Sequence, residues 1–376
     1  MSNENSTQGN KNTPLINDED SIPSEVRASG ARISFPDFNF YNIRTFADMH
    51  VDIAGGSTDD RAPAVQYFKN NSDSQKFLIF TLDNNYSIIA AKHSGKVFDL
   101  AYNPSGDRLL QYYFNNGDIQ KFFISNEGII SVKINGQVLD VYRGETWENA
   151  PIVGWHYQGS PNQKFSLVKA GSVSVKPPAM GTLPAAPDFT TTDLNERLPD
   201  STEPVSTHAT YLPYFMVKDP YYNAQQKIQN SPYYILVRRQ YWEKITQRVL
   251  GAGESYQYEQ TTGVSRTDQT SMTETTEISI GADLGFMFKG FSLGLSTSIT
   301  KTLSVTKSIS TEESKINKET ITDSNPFMHP IARAKYMLIN EYYLTRANGE
   351  MITSGDAAYW KVPNPTQTVT RTIPRS

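Results

Sequence analysis

The 376-residue sequence contains no cysteine. Disulfides, zinc–thiolate sites and cysteine nucleophiles are therefore all excluded. The five histidines are scattered without metal-binding spacing such as HExxH, and no phosphate-binding loop occurs. A net charge of −4 lacks the basic excess that a nucleic-acid partner requires. These absences predict a protein without metal or cofactor that is not an enzyme.

Long apolar runs are also missing. The first residues, MSNENSTQGNKN, hold no apolar core of the length that a signal peptide needs. No stretch approaches the ~18 apolar residues of a membrane helix, so we expect a protein made soluble in the cytoplasm. Residues 1–37 are polar with scattered proline and glycine, which predicts a disordered tail. Arg27 and Arg32 in that tail, and Lys361 near the other end, are candidate sites for proteolytic trimming.

A threefold internal repeat is the first feature that the chain does have. The tripeptide Gln-Lys-Phe begins at residues 75, 120 and 163, at intervals of about 44 residues. Strand-like pieces alternate with Gly, Asn and Asp turns throughout, and helix periodicity is absent. A propeller of such repeats typically needs at least about four blades, so three copies favour a threefold β-structure.

This pattern resembles the ricin-B-type β-trefoil lectin domain, whose repeats end in Gln-x-Trp. Phe77, Phe122 and Phe165 replace that tryptophan here. The resemblance implies a β-trefoil over residues 38–171, in which the three phenylalanines share one core. It also implies sugar sites built from an aspartate that accepts hydroxyl hydrogen bonds, an aromatic ring that stacks on the sugar, and an asparagine before the glutamine.

The third repeat carries the full set of sugar-site residues. They are Asp140, Trp155, Asn162 and Gln163. The weaker sites are Asp52, Phe68 and Gln75 in the first repeat and Asp99, Tyr113 and Gln120 in the second, where Ser74 and Ile119 replace the asparagine. The alternative is that all three aspartates only satisfy backbone N–H groups in turns.

A proline-rich stretch, residues 172–206, predicts a linker and leaves a second domain over residues 207–376. Within that domain, residues 278–305 alternate between apolar and polar side chains on both sides of Lys289-Gly290, a candidate two-residue turn. Pairing the two arms across this turn predicts a hairpin with one apolar face. That face comprises Ile278, Ile280, Leu284, Phe286, Phe288, Phe291, Leu293, Leu295 and Ile299.

Each arm has the ~10 residues that cross a bilayer as a barrel strand. The flanking segments 261–277 and 306–322 are rich in Ser and Thr and are expected to continue the hairpin as strands. The same alternation would also suit a hairpin that covers one face of a soluble sandwich. The string GFSLG at 290–294 lies inside the alternating segment, so we interpret Ser292 as a polar-face residue and not as a nucleophile.

The sequence MVKDP at 216–220, followed by SPYYILVRRQYW at 231–242, resembles the Toxin-10 (Tpp) family, the binary-toxin-like insecticidal crystal proteins of Bacillus-type bacteria. This resemblance covers both domains in order. It implies an all-β chain, with a β-trefoil followed by an elongated aerolysin-like pore-forming domain.

The family resemblance also implies a function. It describes a toxin that binds glycans or a glycoprotein receptor, forms a homo-oligomer and inserts its hairpin among the lipids of an insect gut cell, sometimes with a second toxin component. Family members are commonly deposited as crystals in the sporulating cell. The alternative is a lectin or agglutinin that forms no pore and keeps a rigid β-domain behind its trefoil.

Overall fold

The computed structural model describes residues 38–101, 107–352 and 359–374. The predicted tail, with Arg27 and Arg32, lies outside the described residues. Strands dominate the described chain, as the all-β prediction expects. Its α-helices are α1 (Ala224–Asn230), α2 (Arg266–Thr276) and α3 (Ser296–Leu303).

Twelve short strands make up the N-terminal part. They are β1 (Asn39–Arg44), β2 (His50–Ile53), β3 (Ala64–Tyr67), β4 (Phe77–Thr81), β5 (Ser87–Ala91), β6 (Val97–Ala101), β7 (Arg108–Tyr112), β8 (Phe122–Ile124), β9 (Ile130–Val132), β10 (Val138–Val141), β11 (Ile152–Trp155) and β12 (Ser166–Ser172). They belong to one antiparallel sheet in which β12 returns to pair with β1. Each repeat contributes four consecutive strands, and its second and third strands form a hairpin.

The three phenylalanines of the Gln-Lys-Phe copies meet in one core. Phe77 and Phe122 are fully buried, and Phe165 is 4% exposed. The ring of Phe98 lies between two of them, 4.8 Å from Phe77 and 6.3 Å from Phe122, measured between centroids. Three copies of one unit therefore fill the same centre, and the predicted β-trefoil is confirmed.

The C-terminal part is built on long strands. They are β13 (Val205–Pro213), β14 (Tyr233–Leu250), β15 (Ser255–Thr262), β16 (Ile278–Ile280), β17 (Phe286–Phe288), β18 (Asn317–Ser324), β19 (Ile331–Thr345), β20 (Met351–Ile352) and β21 (Trp360–Ile373). Strands β13, β14, β19, β20 and β21 form one sheet, β15 pairs with β18, and β16 pairs with β17. At ~3.3 Å per residue, β14 alone extends for about 60 Å, so this domain is elongated.

The proline-rich segment between the two parts lies against the long sheet. Phe189 and Leu198 are buried against Ala332 and Tyr336. The indole nitrogen of Trp242 donates to the carbonyl oxygen of Pro184 at 3.0 Å. The segment is therefore held to β14 and β19 by both apolar and polar contacts.

One expectation about the segments that flank the hairpin is wrong. Residues 266–276 form α2 and not a strand, because the Ser265 side chain accepts from the Asp268 amide at 3.0 Å and starts a helix.

The segment that contains Lys361, a candidate site for trimming, is β21 and pairs with β19. The Lys361 ammonium also bonds to both carboxylate oxygens of Glu243, at 2.8 and 2.9 Å.

Candidate functional site

The glutamine of each Gln-Lys-Phe copy connects three parts of its repeat. In the third repeat, Gln163 Nε2 donates to Asp140 Oδ2 and to the His156 carbonyl oxygen, both at 2.9 Å. Its Oε1 accepts from the Gln158 amide at 2.8 Å. The side chains of Gln75 and Gln120 bond in the same way to Asp52 and Asp99 and to their own loops. The aspartates therefore occupy equivalent positions in the three repeats.

The third repeat forms an open cavity of about 490 Å³ above this aspartate. Asp140 is buried at its base, and Asn162 Nδ2 donates to Asp140 Oδ1 at 2.8 Å. The ring of Trp155 is 42% exposed at the cavity wall. The four predicted residues thus lie together, with Gln163 beneath the other three. Six further residues, which the repeat motif does not indicate, complete the lining: Tyr142, Arg143, Gly144, Val153, Gln158 and Ser160.

Burial controls the electrostatics of these aspartates. Desolvation raises the pKa of Asp140, and the hydrogen bonds from Gln163 and Asn162 only partly offset it. Desolvation likewise raises the pKa of Asp99, against the hydrogen bond from Gln120. Each carboxylate oxygen can accept more than one hydrogen bond. A buried, oriented carboxylate at the base of an open cavity can therefore accept hydrogen bonds from hydroxyl groups such as those of a sugar.

The stacking aromatics predicted for the first two repeats, Phe68 and Tyr113, are one residue out of register. Tyr67 and Tyr112 occupy the position that Trp155 holds in the third repeat. The strand pairs that establish this are His50 with Tyr67, Val97 with Tyr112 and Val138 with Trp155. Because successive side chains of a strand point to opposite faces, a shift of one residue places the side chain on the other face of the strand. The sequence contains this equivalence, since Tyr67, Tyr112 and Trp155 each lie eight residues before the glutamine of their repeat.

The first repeat differs from the third around its aspartate. Asp52 Oδ1 is buried and has no hydrogen-bond partner in the described chain. Ser74, which replaces the asparagine, instead shares a 2.7 Å hydrogen bond between its hydroxyl and that of Ser72. The first repeat thus keeps the aspartate–glutamine pair but leaves one carboxylate oxygen without a donor.

The residues that could suggest catalysis are held in structural roles. Ser292 of the GFSLG string is buried, and its hydroxyl contacts the carbonyl oxygens of Lys289 at 2.7 Å and Glu277 at 2.9 Å. Within the described ranges, no group of His, Asp and Glu side chains could hold a metal ion. In that same part of the chain, no helix is long and apolar enough to span a membrane.

The segment predicted to be a membrane hairpin has a different conformation in this structure. Ile278 pairs with Phe288, so the turn falls at residues 281–285 and not at Lys289-Gly290. Residues 290–295 form a 3-10 helix that leads directly into α3. Pairing across Lys289-Gly290 would set Phe286 opposite Leu293, and this pairing is absent. The predicted extended hairpin is therefore not present in this structure.

The spacing of the apolar residues explains the difference. Phe291, Leu295, Ile299 and Leu303 recur at every fourth position, which places them on one face of a strand and also on one stripe of a helix. All four are buried, with at most 7% of any side chain exposed. Leu293 fits only the strand pattern, and it is 53% exposed.

The apolar residues of this segment lie in a core shared by both parts of the chain. Ile278, Ile280, Phe286, Phe288, Phe291, Leu295 and Ile299 are buried there, and Leu284 is partly buried. The Phe291 ring packs edge-on against Phe114 of the trefoil, with centroids 4.8 Å apart, and against Phe215 at 5.0 Å. Apart from the exposed Leu293, the surface expected to face lipid is thus covered by the chain itself.

Charged side chains from outside the segment hold both ends of α3. The residue before the helix, Leu295, makes no side-chain cap. Asp83 of the trefoil supplies one, because its carboxylate accepts from the amides of Thr297 and Ser298 at 2.7 and 3.2 Å. At the other end, buried Arg238 donates to the Leu303 and Ser304 carbonyl oxygens at 3.0 and 2.8 Å. An anion at the first turn and a cation at the last both complement the helix dipole.

Known proteins resemble the chain in both parts. Residues 205–375 match the family model described as Insecticidal Crystal Toxin, and residues 36–112 match the ricin-type beta-trefoil lectin domain-like model. The chain is 25% identical over 329 residues to the binary larvicide subunit BinB of Lysinibacillus sphaericus, covering 81% of this chain and 73% of that protein. It is 26% identical over 308 residues to the insecticidal crystal protein Cry35Ab1 of Bacillus thuringiensis, covering 76% and 77%.

The crystal structure of Cry35Ab1 has the same fold. It matches with a TM-score of 0.73 and 21% identity, over 91% of each chain. The shared architecture therefore extends across the trefoil and the long-stranded domain together.

Proposed function

We propose that this protein is an insecticidal β-pore-forming toxin, because residues 205–375 match the insecticidal crystal toxin family model and 81% of the chain aligns with a binary larvicide subunit. Its trefoil binds glycans on the target cell, and residues 278–305 then leave their packed position and cross the membrane as a hairpin. The protein acts as a binder and pore former and catalyses no reaction.

The observation that carries this proposal is the conformational ambiguity of α3. Its sequence is STSITKTL, in which Thr297, Ile299, Thr300 and Thr302 are β-branched and favour strands over helices. Eight residues are also fewer than the ~12 that an isolated helix needs for even marginal stability. The helix therefore depends on packing and on the caps from Asp83 and Arg238, and a segment released from them would favour the extended form.

Released as strands, the segment has the pattern that a bilayer requires. Pairing across Lys289-Gly290 would place Phe286 and Leu293 side by side on an apolar face and leave Ser, Gly and Thr on the other. One hairpin cannot cross alone, because its edges would leave backbone groups unpaired in hydrocarbon. Several chains therefore each contribute a hairpin, and the ring of strands closes into a homo-oligomeric barrel.

The trefoil selects the cell in this proposal. A sugar in the third-repeat cavity would stack on Trp155 and present hydroxyls to Asp140 and Asn162, which combine an apolar wall with a polar base. The glycan would belong to a gut-cell glycolipid or glycoprotein receptor. The names of the relatives also support storage as a crystal and action with a second toxin component.

The alternative function is that of a lectin without a pore. It is favoured by the good packing of residues 278–303, whose apolar side chains are nearly all buried. A lectin of this kind would bind cells through the same third-repeat cavity and leave their membranes intact.

Conductance across a planar bilayer separates the two functions. Trypsin-trimmed protein is added to bilayers made with target-gut lipids and glycolipids. Discrete, long-lived current steps are expected from a pore former, and a quiet bilayer at all protein concentrations would contradict the pore.

Glycan binding is tested separately on an array of neutral glycans. The intact protein is expected to bind some of them, and Trp155→Ala is expected to weaken that binding about fivefold, since stacking on an aromatic ring contributes on the order of 1 kcal/mol. Equal binding by both proteins would remove the third repeat from the proposal.

A further inference from the structure

The second repeat also forms an open cavity, of about 550 Å³. Strands β6 and β7 supply most of its wall, and Asp99 stands opposite Leu110 in their register. Alternation along β7 places Arg108, Leu110 and Tyr112 on one face. The full lining is Arg61, Pro63, Asp99, Ala101, Arg108, Leu110, Tyr112, Asn115 and Ile119. This cavity has the aspartate and aromatic ring of the third repeat, but its lining contains two arginines where that of the third repeat contains one, Arg143.

Arg108 occupies a position that proline holds in the other two repeats. Each repeat makes one backbone pairing with the next repeat. The three pairs are Pro63 with Leu110, Arg108 with Val153, and Pro151 with Val65. Arg108 is therefore equivalent to Pro63 and Pro151. Only in the second repeat does a long cationic side chain rise from this position in the cavity wall.

Arg61 reaches the same cavity from a turn of the first repeat. Its backbone has φ +64° and its amide donates to the Gln111 carbonyl oxygen at 2.8 Å, which fixes the turn beside β7. Asn149 has φ +65° and makes the equivalent bond to Gln66, also at 2.8 Å. Because asparagine tolerates this left-handed conformation better than arginine does, the turn itself does not require arginine.

The Arg61 guanidinium stands 5.9 Å from the centroid of the Tyr112 ring, and its charge partly offsets the desolvation that raises the pKa of Asp99. Within the described chain, neither Arg61 nor Arg108 forms an ion pair, and the adjacent Asp60 is paired with Lys96 at 3.2 Å. Asp99 lies buried below them and is bonded to Gln120 at 3.0 Å. The cavity wall thus carries two guanidinium groups that form no ion pair within the described residues, and their planar forks suit a carboxylate or a sulfate.

We propose that the second repeat is a binding site for an anionic sugar, one that carries a carboxylate or a sulfate. The ring stacks on Tyr112, a hydroxyl bonds to Asp99, and the acidic group bonds to Arg61 and Arg108. Ile119, which replaces the asparagine of the third repeat, gives this cavity an apolar contact in place of an amide donor. This inference rests on the proposed glycan binding and names a ligand class for one of its sites.

Beads that carry matched sugar pairs test the inference with the full chain. The pairs are glucuronic acid against glucose and 6-sulfogalactose against galactose, at 0.15 M salt. The protein is expected to be retained at least tenfold better by one acidic member than by its neutral partner, since charge-assisted hydrogen bonds are about twice as strong as neutral ones. The two pairs distinguish a carboxylate from a sulfate.

The double variant Arg61→Ala/Arg108→Ala is expected to lose this preference and to keep its neutral-glycan binding. Arg44→Ala/Arg266→Ala removes the same charge at exposed positions away from the cavity and is expected to keep the preference. Far-UV circular dichroism checks the fold, and Arg61→Gln/Arg108→Gln replaces the alanine pair if that pair unfolds.

The other outcomes identify which proposal fails. Neutral binding without a preference for either acid would overturn the anionic site and leave glycan binding intact. A preference that survives in the double arginine variant would also overturn it, because the acid would then bind elsewhere. Failure to bind any glycan, neutral or acidic, would remove both proposals.

Discussion

The trefoil core and the segment 278–305 both follow a regular sequence pattern, but only the trefoil pattern selects one structure. In the trefoil, each glutamine bonds to an aspartate and to two backbone groups of its own repeat. Hydrogen bonds are directional, so few other arrangements satisfy all of them. In the segment, the regular feature is apolar burial, which has no direction. A spacing of four residues therefore permits a strand as well as the helix that is present.

The source of stability differs in the same way. The trefoil turns are fixed by bonds within each repeat. Helix α3 is fixed by groups distant in sequence, namely Asp83, about 215 residues earlier, and Arg238, about 65 residues earlier. A segment held from outside can be released without unfolding the domain that holds it.

Fixing α3 to the trefoil should abolish pore formation. The Asp83 carboxylate lies 2.6 Å from the Ser298 hydroxyl oxygen, so Asp83→Cys/Ser298→Cys can form a disulfide in a chain that has no other cysteine. When it is oxidised, dye release from vesicles is expected to fall to background, because the segment cannot leave. Reduction should restore release.

A disulfide inside the trefoil is the control for this tether. Thr81 and Ser87 are opposite each other on β4 and β5, with side-chain oxygens 3.4 Å apart. Thr81→Cys/Ser87→Cys is expected to release dye equally in both redox states. Undiminished release by the oxidised 83–298 variant would show that α3 stays in place during permeabilisation.

Removing one trefoil glutamine should damage the fixed region strongly. Gln163→Ala leaves Oδ2 of the buried Asp140 and two backbone groups without this side-chain partner, so the free energy of unfolding in urea is expected to fall by about 3 kcal/mol. Gln158→Ala, at an exposed position of the same loop, is expected to change it by less than about 0.5 kcal/mol. Equal values for the two variants would mean that the glutamines do not determine the repeat structure.

Removing the helix cap should accelerate dye release, which is the opposite of what the 83–298 disulfide does, and the change should be smaller. Asp83→Ala is expected to cost α3 about 1 kcal/mol, seen as faster hydrogen exchange at the amides of Thr297 and Ser298. Because 1 kcal/mol is a factor of about 5 in a population, release of dye should become faster by a similar factor. Asp48→Ala removes the same charge from an exposed pair with Arg44 and should change neither measurement. Slower dye release by Asp83→Ala would contradict the role of the cap.

The sequence predicted the trefoil well because its repeat spacing is a local property. Counting from each Gln-Lys-Phe located the aspartates and the asparagine of the third repeat. The aromatic positions failed in two repeats because Phe68 and Tyr113 were matched by residue type and not by distance from the glutamine. Arg61 was missed as a cavity residue because it comes from a different repeat, and no pattern within the second repeat includes it.

The hairpin segment was predicted less well for a physical reason. Its alternation is real, but contacts from Asp83, Phe114 and Arg238 decide between strand and helix, and no local pattern shows them. Helix α2 is predictable from the sequence, since Ser265 followed three residues later by Asp268 is a recognisable helix start. The Ser- and Thr-rich composition around it hid that signal.

Leu293 offers the most direct test of the central claim, that residues 278–305 become a membrane hairpin. It is 53% exposed in this structure but would face lipid in the hairpin, whereas Ile309 is 94% exposed and lies outside the hairpin arms. Leu293→Arg and Ile309→Arg should each change the urea stability by less than about 0.5 kcal/mol. In a planar bilayer, far fewer current steps are expected for Leu293→Arg, because an arginine on the lipid face of a barrel strand costs up to about 2–4 kcal/mol at the bilayer midplane. Ile309→Arg is expected to leave the current steps unchanged. Unchanged conductance by Leu293→Arg would contradict the membrane hairpin.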